Sequence, residues 1–178
     1  KPDTKLIGLH PFGTQFRLDE STAAFSGFGG PKAMVESSEG GANMLVGIGI
    51  NTGGYNYRAV GVKWMANADS YMNDVKFVGG HGGLWKPKPG VEEPRGRWNR
   101  PARISSPDNP VAASGMDLAW DNQYWSLWVT NNGGGTFKDI WTASTYATNG
   151  FYANNTSTPG RIYAMSIEHH VRNEVRFS

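Results

Sequence analysis

The chain has 178 residues, with 17 Lys and Arg against 15 Asp and Glu, and contains no cysteine. That length suits one domain with a sizeable core, and the near-balanced charge gives no footprint for nucleic acid. Without cysteine there is no disulfide framework, thiolate metal site or thiol nucleophile.

The 24 glycines and 12% aromatic residues favour a turn-rich β protein, since no window sustains the i, i+3, i+4, i+7 apolar spacing of a helix. No run of about 18 apolar residues offers a membrane span, and Lys1 starts neither a signal peptide nor a natural chain, so the N-terminus reads as processed or truncated.

Taken in order, residues 1–20 alternate apolar and polar positions in KLIGLH and TQFRLDE around the turn signal His10-Pro11-Phe12-Gly13, which predicts two short strands. His10, beside a proline, reads as structural. Residues 21–43 are small and Gly-rich, with one short strand expected at Ala33-Met34-Val35. Met44 to Asn51 is an apolar run of the type that is buried in parallel sheets.

Residues 59–78, AVGVKWMANADSYMNDVKFV, are the unit that the rest of the chain repeats. Trp64-Met65-Ala66-Asn67 matches Trp128-Val129-Thr130-Asn131. Asn73-Asp74-Val75-Lys76-Phe77 matches Lys138-Asp139-Ile140-Trp141 and again Asn173-Glu174-Val175-Arg176-Phe177. Setting aside an insertion at about residues 79–115 leaves a period of 27, which suits one coil of a β-solenoid. Aliphatic positions of such a unit stack as core, and Asn67 and Asn131 are expected to form a turn ladder. The expected fold is therefore all-β, a right-handed parallel β-helix forming one partial domain over residues 1–178. Because a solenoid must cap its ends and the chain stops in the strand-like NEVRFS, the expectation is a fragment of a longer chain, or one whose coils are completed by another chain.

The insertion is too long for a plain connection. Trp85 and Trp98 argue against disorder, and six prolines make it extended and stiff. Its basic residues, diluted by Glu92-Glu93, read as a solvated loop.

Aromatic side chains on a groove are the physical means of holding a sugar, whose apolar faces stack on an indole while its hydroxyls need fixed polar partners. Trp85, Trp98, Trp120 and Trp125 have no counterpart in the repeat and are the candidates for a carbohydrate surface, with His170 beside them. Hydrolysis of a glycosidic bond needs a protonated carboxylic acid and a second carboxylate. Glu168, Asp117 and Asp121 are the candidates, whereas Asp74, Asp139 and Glu174 occupy a repeated position and read as ladder residues. Glu168 is followed by His169 and His170, and strand alternation would put Glu168 and His170 on one face. His81, His169 and His170 show no metal-ligand spacing, and no calcium loop, P-loop, dinucleotide fingerprint or GxSxG elbow occurs. No metal or cofactor is expected.

The runs LIGLHPFGTQFRLDE, AAFSGFGGPKAMVE, VGIGINTGG, RAVGVKWMA, SYMNDVKFVGGHGG and IEHHVRNEVRF resemble secreted bacterial pectate-lyase-like β-helix proteins of the glycoside hydrolase family 55 type. The resemblance covers most of residues 5–178 outside the insertion. It implies a β-helix carbohydrate-active enzyme, secreted to the exterior or periplasm, with a polysaccharide such as β-1,3-glucan as partner; from the balanced charge and the lack of an apolar span, no nucleic-acid or membrane partner is expected. It carries no catalytic residue over to a position of this sequence, and it allows the family's catalytic glutamate to lie beyond Ser178. The alternatives are a non-catalytic glycan-binding or structural β-solenoid, and a polysaccharide lyase, which the lack of an Asp cluster for calcium disfavours.

Overall fold

The computed structural model describes residues 1–27, 29–54, 56–78, 123–144, 147–168, 170 and 173–178. The expected insertion falls outside them, as do Trp85, Trp98, Trp120, Asp117, Asp121, His81 and His169. The described residues form twelve strands and no helix. In chain order these are β1 (Lys5–Ile7), β2 (Gln15–Arg17), β3 (Lys32–Glu36), β4 (Met44–Val46), β5 (Gly49–Asn51), β6 (Ala59–Trp64), β7 (Tyr71–Val78), β8 (Gln123–Val129), β9 (Gly135–Ser144), β10 (Ala147–Ala153), β11 (Gly160–Ser166) and β12 (Asn173–Phe177).

Every strand pair is parallel, in two sheets. Sheet A stacks β1 and β2, then β4 and β5, then β7, β9 and β11; sheet B stacks β3, β6, β8, β10 and β12. The chain lays one strand in sheet B, turns, and lays the next in sheet A. It returns one rung further along each time, which is a β-solenoid-like arrangement. The two sheets are offset by half a coil: sheet A begins with β1 and β2 before any sheet B strand, and sheet B ends with β12 after the last strand of sheet A.

The expected period is the rung spacing. Lys32 pairs with Ala59 and Met44 with Tyr71, an offset of 27 residues in both sheets. Past residues 79–122 it shortens to 24 in sheet B, where Gln123 faces Ala147, and to 25 in sheet A, where Gly135 faces Gly160.

Stacked equivalents build the core. One ladder in sheet B runs Val35, Val62, Leu127, Phe151, Val175, and one in sheet A runs Leu45, Met72, Phe137, Ile162. Their middle members are buried in one cluster between the sheets, each contributing about 1.5–3 kcal/mol by leaving water. Gly61 turns inward beside Phe77: a Cβ there would meet the Ser126 carbonyl at 2.5 Å and the Phe77 ring at 2.7 Å. Where the chain returns after residue 122, buried Gln123 fixes the corner. It accepts from Thr52 Oγ1 at 2.6 Å and donates to the Gly53 carbonyl at 2.9 Å.

Three parts of the expected repeat are corrected. Trp64 does not stack on Trp128, because Trp64 faces Val129 while Lys63 faces Trp128. One residue of slip changes the face, so Trp64 lies in the core and donates from Nε1 to the Gly134 carbonyl at 3.0 Å. Residues 173–177 are not a third copy of 73–77, since β12 belongs to sheet B and pairs with β10. Finally, Asn67 and Asn131 do not stack on each other. Asn67 Nδ2 donates to the Gly40 carbonyl of the preceding coil at 2.8 Å, and Asn131 Nδ2 to Glu39 Oε1 at 2.6 Å.

The match of 73–77 with 138–141 holds, and it marks a kink. Asn73 faces Lys138 and Val75 faces Ile140, so Asp74 and Asp139 share a rung position. Both adopt positive φ, as do Gly47 one rung before and Ala164 one rung after. From the junction of β4 and β5 through β7, β9 and β11, sheet A bends there in the left-handed region, which Gly and Asp tolerate better than Ala.

Candidate functional site

Beyond the kink, sheet A turns a row of side chains outward: Lys76 faces Trp141, and Trp141 faces Ser166. The alternation is forced by Val75 and Ile140, which are buried on the inner side. Trp141 is half-buried. Its indole N–H donates to Glu168 Oε1 at 2.8 Å. The backbone N–H of Glu168 is in turn held by Thr142 Oγ1 at 3.2 Å, which fixes the carboxylate at the indole edge.

Two further groups border this indole. Phe12, from the turn between β1 and β2, is 52% exposed and meets Trp141 edge-on with ring centroids 5.9 Å apart. Lys76 Nζ stands 6.0 Å from the Trp141 ring centroid. It donates to the Asp139 carbonyl at 3.2 Å and pairs with Asp74 at 3.2 Å. An open aromatic surface, a cation and two carboxylates thus converge from three coils and one loop. Such a set stacks an apolar ring face and exchanges hydrogen bonds with surrounding hydroxyls.

Of the residues expected from sequence, Glu168 is in this group. It lies past the end of β11 and reaches outward to Trp141, whereas His170 points inward, so the two do not share a face. Trp141, the centre of this group, is not among the sequence candidates because it falls inside the repeat motif. Its signal is the rung register, which gives it an outward position beside Lys76.

His170 is enclosed, with a side chain 0% exposed. Its Nε2 lies 3.3 Å from Ser126 Oγ and its Nδ1 2.5 Å from Glu174 Oε2. The order hydroxyl, imidazole, carboxylate is that of a hydrolytic triad. Ser126, however, is only 2% exposed, so the line braces β8 to the start of β12 from inside. Glu174 is therefore a partner of His170 rather than a member of the row that contains Asp74 and Asp139.

Trp125 lies on the outer side of sheet B in a second cluster with Val60, Tyr124 and Tyr152. It is buried, its ring stands 4.6 Å from Trp128 and 4.7 Å from Tyr152, and its Nε1 has no hydrogen-bond partner among the described residues. Half-buried Trp128 edges this cluster, donating to Asn154 Oδ1 at 2.7 Å with Lys63 Nζ 5.3 Å from its ring. Among the described residues no group of three or more His, Asp or Glu is placed to hold a metal ion. No protein-family model, curated protein or solved structure matches the chain.

Proposed function

We propose that the chain is a section of a secreted, polysaccharide-active, right-handed β-helix, similar to the glycoside hydrolase family 55 type, and that it meets its glycan on the outer face of sheet A. The observation that carries this reading is Trp141, half-buried on that face with Glu168 bonded to its indole N–H. A pyranose ring stacked on Trp141 brings its rim hydroxyls to Glu168 on one side and to Lys76 on the other. The solenoid supports such contacts because successive rungs repeat at about 4.8 Å, a spacing that supports an extended chain lying along the stack. The family reading is supported by the sequence runs from LIGLHPFGTQFRLDE to IEHHVRNEVRF.

Within this reading Glu168 has one of two roles. In a glycoside hydrolase it acts on the glycosidic oxygen or on the attacking water as one of two carboxylates, with Asp117 and Asp121 as the other acids that the sequence offers. In a non-catalytic glycan-binding solenoid it only orients hydroxyls. Glu168→Gln in the protein that carries the activity separates them: a hydrolase loses turnover by about a thousandfold or more, and a binding module shows no turnover to lose while keeping most of its affinity. Full turnover in Glu168→Gln removes the catalytic assignment.

A further inference from the structure

One outward row of sheet A runs through the site: Gln15, Gly49, Lys76, Trp141 and Ser166 face one another in register. Gly49 stands between Ile48 and Ile50, which both lie in the core, so the side chain it lacks would point outward. The turn between β1 and β2 fills that space. Pro11 is buried there, and a Cβ on Gly49 would collide with its carbonyl oxygen.

From this anchor the turn reaches along the row toward Trp141, two rungs or about 10 Å further on. It is braced from within. The N–H groups of Gly13 and Thr14 both donate to the His10 carbonyl, at 3.0 and 2.7 Å, and the N–H of Phe12 donates to His10 Nδ1 at 3.2 Å. Gly49 ties the turn to β5 by donating to the Thr14 carbonyl at 2.9 Å. The His10 ring backs the Phe12 ring, with centroids 5.8 Å apart. Phe12 is thus held against Trp141 with its ring plane at 79° to the indole. Because the turn lies along the side of the stack, a further coil before β1 would leave it in place.

Two rings close to a right angle make a corner. A sugar ring stacked on Trp141 sets one stretch of its rim against Phe12, which has neither donor nor acceptor. A carboxylate turned to that ring loses its water without a replacement, whereas a carbon substituent gains apolar burial. The polar partners stand elsewhere: Glu168 at the indole N–H, and Lys76, whose charge is met by Asp74 at 3.2 Å.

We propose that the β1–β2 turn is the specificity wall of the Trp141 site and that Phe12 is its selecting residue. The corner admits a neutral hexose with its C6 methylene against the Phe12 ring and excludes a uronic acid, whose C6 is a carboxylate. This inference rests on the glycan reading of the face and adds to it the class of sugar.

Titration calorimetry with β-1,3-gluco-oligosaccharides, and with the same oligosaccharides oxidised at C6 to uronates, tests the wall, with circular dichroism to establish that each variant is folded. The parent is expected to bind the neutral form about tenfold or more tighter than the oxidised form. Phe12→Ala should weaken binding of the neutral form by about tenfold through lost apolar contact. Phe12→Arg should shift the preference by about tenfold toward the oxidised form, since a guanidinium then faces the carboxylate. Gly49→Ala, which lifts the turn without touching Phe12, should repeat the loss seen in Phe12→Ala, and it decides the matter should that variant fail to fold. If Trp141→Ala loses binding while Phe12→Ala keeps the parent's affinity and preference, the wall is refuted and the glycan face stands. Equal affinity of the parent for the two forms also refutes the wall. Absence of binding of either form by the parent refutes the glycan face and the wall with it.

Discussion

At the scale of single residues the row Gly47, Asp74, Asp139, Ala164 shows how one backbone demand selects different side chains. Gly meets it without strain, and Asp meets it with its short polar side chain. Ala does neither, and a Cβ at φ 52° costs about 1 kcal/mol. Ala164→Asn is therefore expected to raise stability by about 0.5–1 kcal/mol, read as a higher urea midpoint at unchanged slope. A lower midpoint would show that the kink is not strained at Ala164. The repetition of Asp74 and Asp139 was legible in the sequence, but its cause was not, since a left-handed residue within a strand leaves no mark on the apolar pattern. Trp64 and Trp128 illustrate the opposite limit. Their local motifs match, yet a slip of one residue sends one indole into the core and the other outward.

At the scale of elements the strands themselves were readable. The two short strands before residue 20, the strand around Ala33–Val35 and the apolar run from Met44 to Asn51 all appear, the last divided into β4 and β5 by the kink at Gly47. Residues 173–177 were misassigned because polar-acidic-aliphatic-basic-aromatic alternation fits a strand of either sheet; which sheet depends on how many turns precede it. The glycines in these strands are packing devices. Gly61→Ala would drive a Cβ into the Ser126 carbonyl and the Phe77 ring, and with backbone on one side it is expected to cost about 2 kcal/mol or more. A variant as stable as the parent in thermal unfolding would mean that β6 and β8 are not in this register. The candidate site was half legible for a related reason. Glu168 stood out beside two histidines, whereas Trp141 became recognisable as its partner only once the rungs fixed which side chains face outward.

At the scale of the whole molecule the period of 27 residues in the sequence specifies a stacked architecture, and the same offset recurs in both sheets before residue 79. Stacking makes the core a set of ladders and makes each face a set of rows, so groups distant in sequence become neighbours. Phe12, Lys76, Trp141 and Glu168 come together in this way.

The central claim is that the Trp141 face binds a glycan. Titration calorimetry with β-1,3-gluco-oligosaccharides, comparing the parent chain with Trp141→Ala, tests it most directly, with circular dichroism to establish that the variant is folded. Saturable binding by the parent, weakened about thirtyfold in Trp141→Ala for a loss near 2 kcal/mol, is the predicted result. Equal affinity in the parent and Trp141→Ala, or no binding by the parent at all, would contradict it.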